Sequence, residues 1–262
     1  MNKELIDYGI DKLKGIMDEN ESIHLANYLY RYIDNISDYK NGIDKLLRGI
    51  PIQYVIGNVN FYGNMFKVNP SVLIPRFETE ELIEKTIKYI KNYFNHDLDI
   101  VDLGTGSGCI AITLKKILAN SIIDAVDISK DALEVAKDNA NINDVSINYY
   151  LGNLFSPLTK KYDLIISNPP YLSVEDDVMD MVKENEPNIA LYANNKGLEI
   201  IESILKESTS YLKSKAMIAL EIGDKQGEEV KKMVNEYIPN AKVIVEQDLQ
   251  KRDRFIFIFK ES

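Results

Sequence analysis

Two short stretches hold the residue types and spacings that could do chemistry. The first is LIISNPPY, residues 164–171, where an apolar run ends in Asn168, Pro169, Pro170 and Tyr171. Pro169 has no N–H and steers Asn168 out of the α region, and Pro170 does the same to Pro169, so the loop is stiff and extended. The carbonyls of Asn168 and Pro169 are left free to accept. A substrate NH2 group needs two acceptors for its two hydrogens, and the Asn168 side-chain oxygen with the Pro169 carbonyl supplies both. Tyr171 would stack on the planar group that bears the nitrogen, with Pro170 alongside. An amide nitrogen is a poor nucleophile because its lone pair is delocalised into the carbonyl. Hydrogen bonds that draw both protons away and pull the nitrogen toward tetrahedral partly restore it. No histidine, cysteine or other evident base is nearby in sequence, which suits a mechanism of orientation and electrostatics, the proton leaving after transfer. The plain structural alternative is a rigid proline turn capped by a core tyrosine.

The second stretch is DLGTGSG, residues 102–108, which sets Gly104, Gly106 and Gly108 between a strand and a helix. Glycine permits positive φ and close backbone approach, so a ligand can lie over the turn near the positive end of the next helix. A dinucleotide fingerprint would put its third glycine at position 109, where this chain has Cys109, and the NAD reading loses ground. Asp127 ends the next strand, IIDAVD, well placed for a carboxylate that accepts from ribose hydroxyls. A GxGxG turn with an acid at the next strand end fits the adenosyl sulfonium cofactor of methyltransferases better than a pyrophosphate. Further on, Asn153 could bond an adenine edge and Leu154 could cover its face. The bland readings are a tight strand-to-helix corner, a helix N-terminal acid, and a turn asparagine beside a core leucine. Cys109 itself reads as a small buried core residue.

These loops need elements to hold them. The chain has 262 residues with 45% hydrophobic content, enough for one large or two modest domains. From Asn2 to about Leu47 the pattern is helical, with Ile6, Ile10, Leu13 and Met17, then Ile23, Ala26, Leu29, Tyr30 and Ile33, at helical spacing. Residues 48–76 are punctuated by Pro, Gly and Asn around short β-rich pieces such as QYVIG and MFKV, which predicts a hairpin-bearing connector. After Glu78 strands alternate with helices, so crossover connections and a largely parallel sheet covered on both faces are expected, its last strand antiparallel. The predicted division is a helical domain over 1–50, a hairpin connector over 51–76 and a doubly wound α/β domain over 77–262. YDLIIS is the fourth strand of that domain by order. First and fourth strands commonly flank the point where strand order reverses, so the glycine turn and Asn168 should face one another there.

Composition limits the partners. With 41 acids against 31 bases the net charge is −10, which opposes duplex nucleic acid unless a local basic patch overrides it. A small molecule or a protein is the expected partner, and a monomer the expected state. A single cysteine rules out an internal disulfide framework, and His24 and His96 are too far apart in sequence to suggest a zinc site. No apolar run approaches a bilayer span and the polar start lacks a signal segment, so a cytoplasmic address is expected.

Taken with these features, DLGTGSGCIAI, SNPPY, NEPNIAL, EIGDKQG and DLQKRDR, with GIPIQYVIG and VLIPRFETE upstream, resemble the bacterial peptide chain release factor glutamine methyltransferases over nearly the whole chain. The resemblance implies a Rossmann-like methyltransferase sheet. It implies methyl transfer from S-adenosylmethionine to the side-chain amide of the glutamine in the Gly-Gly-Gln motif of release factors. It implies that the N-terminal helices help grip the release factor and that Asn168, Pro169, Pro170 and Tyr171 bind the glutamine. Cofactor contacts fall on Gly104, Thr105, Gly106, Ser107, Gly108 and Asp127, with Asn168 touching both partners. The chain departs from the family pattern at Asn153 and Leu154, usually an acid and a tryptophan, at Phe77, usually proline, and at Lys251, often glycine. Arg76 and Glu80 match the pattern, in a role that an interdomain salt bridge explains as well as catalysis. NPPY alone is shared with methyltransferases of exocyclic amines on DNA and RNA bases, which form the enzymatic alternative. A non-catalytic adenosyl-binding interaction protein is a third.

Overall fold

In the computed structural model the described residues are all but Met1, Asn2, Asp34 and Ser262, so the predicted helical start at Asn2 lies outside them. Three helices open the chain: α1 Lys3–Leu13, α2 Glu19–Tyr32 and α3 Ile36–Leu47. Asp18 and Asn35 start the second and third by accepting the N–H of Glu21 and of Asp38. Their shared core is Leu5, Leu13, Ala26, Leu29, Tyr39, Ile43 and Leu46. Ile23, counted above on the apolar stripe, instead faces outward.

The next segment differs from expectation in one piece. QYVI lies in a single helical turn, α4 Ile52–Ile56, which Gly57 ends with a left-handed φ of 79°. Pro51 precedes it with a φ of −53° that suits helix entry, and this outweighs the β-branched residues. The hairpin follows as β1 Asn58–Phe61 and β2 Asn64–Lys67. Its two-residue turn, Tyr62 and Gly63, has positive φ at both positions, the twist that a tight hairpin requires.

The remaining elements alternate: α5 Phe77–Tyr93, β3 Asp99–Leu103, α6 Cys109–Ile117, β4 Ile122–Asp127, α7 Lys130–Ile142, β5 Asn148–Leu151 and β6 Tyr162–Ser167. Then come the short α8 Asp180–Asn185, α9 Asn188–Leu191 and α10 Asn194–Gly197, followed by α11 Glu199–Tyr211, β7 Leu212–Glu221, α12 Gly227–Tyr237, β8 Lys242–Gln247 and β9 Asp253–Lys260. The seven-stranded sheet runs β5-β4-β3-β6-β7-β9-β8, parallel from β5 to β7, with β9 antiparallel to both of its neighbours.

Strand side chains alternate between two cores, as the pleat demands. Ile100, Leu164 and Ile166 point to the layer of α5 and α6, with Phe61 and Phe66 of the hairpin. Val101, Leu103 and Ile165 point to the layer of α11 and α12. Burial on both faces makes these strands near-continuous apolar runs. Strand order reverses between β3 and β6, which pair directly. Among the described residues no helix is long and apolar enough to cross a membrane.

Candidate active site

The loops after β3 and β6 leave adjacent strands at the same sheet edge, and the Ser167 hydroxyl donates to the Leu103 carbonyl at 2.6 Å between them. Both loops open onto one cleft of about 210 Å³, lined by Thr105, Ser107, Asp127, Asn153, Leu154 and Asn168 among others. The spatial meeting of the glycine turn and the proline loop is thus present.

The turn is built by backbone and carboxylate together. The N–H groups of Gly104 and Thr105 donate to the Val126 carbonyl, at 2.8 and 3.0 Å, which leans the turn on the end of β4. Gly104, with a φ of 70°, has no atom within 4 Å of where a Cβ would stand, so its bare face is open. Gly106 also has positive φ, at 54°. Gly108 serves packing: an added Cβ would lie 2.9 Å from Ile112 and 3.2 Å from Ala136, and this residue stands behind the cleft wall. Asp102, which spacing did not single out, is fully buried; it accepts from the Thr105 hydroxyl at 2.6 Å and the Ala111 N–H at 3.3 Å. Burial lifts its carboxyl to about 7.

Asp127 accepts the Gly106 N–H on Oδ2 and the Ser129 N–H on Oδ1, each at 2.8 Å. Each oxygen keeps a further lone pair for a ligand hydroxyl. Burial raises its carboxyl, against the backbone N–H groups of Ser129, Gly106 and Ile128. Beside it Ile128 is exposed and also lines the cleft, as does Leu154, which sits at a positive φ of 47°. Non-glycine residues held there carry strain that the surroundings must offset. The carboxamide of Asn139 ties the turn to the hairpin: it donates to the carbonyls of Ser107 and Lys67, both at 2.9 Å, and accepts the Lys67 N–H at 2.6 Å.

On the other side of the cleft Asn168 is half-buried, and its Nδ2 donates to the Thr79 hydroxyl at 3.0 Å. Thr79 in turn donates to Glu221 Oε2 at 2.8 Å, and the Tyr171 hydroxyl donates to Glu221 Oε1 at 3.2 Å. Neither the Asn168 Oδ1 nor the Pro169 carbonyl accepts a hydrogen bond among the described residues. Pro170 lines the cleft; Pro169 is buried, and Tyr171 lines a neighbouring cleft, its ring 5.7 Å from the Arg254 guanidinium. The Tyr171 carbonyl takes a bond of 3.0 Å from Gln226 Nε2.

Arg76 and Glu80 have separate tasks. Glu80 accepts the Tyr62 N–H at 2.7 Å and so anchors the hairpin turn away from the cleft. Arg76 lines the cleft and pairs at 2.5 Å with Glu186, whose side chain is only 1% exposed and also takes the Ile74 N–H. That pair clasps residues 71–76 to the segment that follows the proline loop. Arg76→Ala would leave a buried carboxylate short of its cation, and a destabilisation of about 2 kcal/mol by denaturant unfolding is expected.

Residues 79–185 match a family model described as the methyltransferase small domain. The release factor glutamine methyltransferase of Bacillus cereus is 43% identical over 221 residues, 82% of this chain and 78% of that protein. Its counterpart in Bacillus subtilis is 38% identical over 259 residues, 96% of this chain and 87% of that protein. The chain belongs to the release factor glutamine methyltransferase family. The fold is that of methyltransferases more widely: the T. thermophilus 16S rRNA N2 G1207 methyltransferase, solved with AdoMet and guanosine, matches with a TM-score of 0.58 at 14% identity, over 78% of this chain and 50% of that one.

Within this family member, motif reading missed Asp102, Thr79, Ile128, Glu221 and Gln226. The signals were there in part: Asp102 opens the DLGTGSG stretch, and Glu221 and Gln226 both belong to EIGDKQG, whose polar residues had no assigned purpose. Ser71, Val72, Leu73 and Pro75 of the connector also line the cleft, which no periodicity marks.

Proposed function

We propose that this methyltransferase family member transfers a methyl group from S-adenosylmethionine to the side-chain amide nitrogen of the glutamine in the Gly-Gly-Gln motif of peptide chain release factors. It works in the cytoplasm, and one copy of the chain supplies every residue invoked. The observation that carries the reading is the pair of unused acceptors, Asn168 Oδ1 and the Pro169 carbonyl, beside a glycine-lined cleft with an acid at its second strand.

The residues present fit the cofactor. Open space over Gly104, spare lone pairs on Asp127 and the apolar pair Ile128 and Leu154 match a group with a charged end, a ribose and a flat base. Asp127 would take the ribose hydroxyls, Asn153 and Leu154 with Ile128 the adenine, and the turn from Gly104 to Ser107 the remainder. When bound, the cofactor supplies an electrophilic methyl carbon on a sulfonium.

The chain's own residues make the amide reactive and aim it. Asn168 Oδ1 and the Pro169 carbonyl accept its two protons and withdraw the nitrogen lone pair from conjugation. Tyr171 bounds the substrate side. No general base is needed: the ionisable side chains lining the cleft are Arg76, Asp127 and Cys109, and burial pushes the Cys109 thiol up to about 12. The proton leaves after transfer, when the nitrogen is acidic.

Incubation with labelled S-adenosylmethionine and either a release factor or nucleic acid tests the reading. Label is expected in the release factor, and a peptide map should place it on the glutamine; label confined to nucleic acid would transfer the site to exocyclic amines. Asp127→Ala should raise the cofactor dissociation constant by about 10- to 100-fold in calorimetric titration, the scale of hydrogen bonds to a charged group. An unchanged constant would remove Asp127 from that role.

A further inference from the structure

We infer that Glu221 and Thr79 are positioning residues that fix which way round the Asn168 carboxamide sits, and so decide that its oxygen, not its amino group, is offered to the substrate. This rests on the amide-binding role given to Asn168 above. Glu221 is 1% exposed, at the carboxyl end of β7, and both of its oxygens accept from hydroxyls, Thr79 on one and Tyr171 on the other. Burial lifts the Glu221 carboxyl to about 7, and above that pH it is ionised and can only accept. The Thr79 proton is therefore committed to Glu221, which leaves the Thr79 oxygen with lone pairs alone for its other neighbour. That neighbour is Asn168, whose Nδ2 meets it at 3.0 Å. Turned about its side-chain axis, Asn168 would set Oδ1 against those lone pairs, acceptor to acceptor, and strand its NH2 in the place where a substrate NH2 must donate. The sequence of donors from Asn168 to Thr79 to Glu221 permits one orientation.

The same carboxylate holds Tyr171 and so spaces both walls of the amide site from one point. Arg254, 8% exposed, supplies the positive charge that keeps Glu221 tolerable in this setting: its guanidinium lies over the Tyr171 ring, and its Nη1 donates to the Ile222 carbonyl at 3.1 Å. Glu221 does not line the cofactor cleft, so its effect on the chemistry passes through Asn168 and Tyr171.

Thr79→Val keeps the volume and removes the hydroxyl; Thr79→Ser keeps the hydroxyl. With a release factor as substrate, Thr79→Val and Glu221→Gln should each lower kcat by about tenfold or more, with the KM for cofactor within twofold, and the double variant should be no slower than the slower single. Thr79→Ser should recover most of the rate. Independently of turnover, the Asn168 side-chain NH2 resonances of selectively labelled protein should exchange slowly with solvent in the parent and fast in Thr79→Val. Equal kcat and equal exchange in the parent and Thr79→Val, or a Thr79→Ser as slow as Thr79→Val, would overturn the inference; Glu221→Gln carries the comparison if Thr79→Val does not fold. A parent that shows slow Asn168 exchange yet leaves release factor unlabelled would count against the proposed function and not against the orientation device.

Discussion

Asn168→Ala should lower turnover by about 10² to 10⁴ while the protein stays folded, the range found when one preorganised polar group is removed from a reacting centre. The substitution deletes Oδ1, which accepts nothing among the described residues and is therefore open to the substrate amide proposed above, along with the single bond from Nδ2 to Thr79. Loss of that bond at a half-buried site is worth about 1 kcal/mol of stability, too little to unfold a chain with two sheet-spanning cores. The loss should fall on kcat far more than on the cofactor dissociation constant. Single-turnover measurement at saturating cofactor checks it, and a rate within threefold of the parent would contradict the role assigned to the amide.

A second large effect is expected at a residue that touches neither ligand. Gly197 ends α10 with a φ of +80°, and an added Cβ would stand 2.0 Å from the Tyr171 carbonyl oxygen and 2.8 Å from Gln226 Nε2. Backbone cannot absorb such an overlap in place. In Gly197→Ala the chain after Tyr171 must move by about 1 Å, taking the ring and its bond to Glu221 with it, and a shift of that size costs about 10²-fold in rate. Gly63→Ala is the control for positive φ alone: it has φ of +72° and nothing within 4 Å, so only the conformational cost of about 1 kcal/mol is expected there. Thermal unfolding and kcat measured on both variants separate strain from displacement. If Gly197→Ala and Gly63→Ala lose activity equally, the contact with Tyr171 does not matter.

Much of this architecture is legible in the order of residues because the causes are local. Alternation of VDL and AVD with amphipathic stretches gives strands and helices, and a strand count is enough to bring Gly104 and Asn168 to neighbouring edges, where β3 and β6 do pair. Pro169 and Pro170 announce a rigid loop by their covalent form alone. The parts that stay hidden are made by long-range pairing. Thr79 and Glu221 are separated by 142 positions and meet only once α5 has packed beside β7. Gln226 reaches Tyr171 across 55 positions, and nothing in either neighbourhood says so. The misreading of QYVI as strand has a different origin: its β-branched residues favour extension, and a preceding proline with helical φ outweighed them over one turn.

The Asn139 carboxamide described above makes Lys67 and Ser107 clients of one group. A piece beginning at Phe77 would strip that amide of two of its three hydrogen bonds, both to the Lys67 backbone, and would uncover the face of α7 against which β2 packs. The hairpin in that sense braces the glycine turn from outside the sheet, and dissecting this enzyme at the border its composition suggests would loosen the carboxamide that holds Ser107 at the cleft.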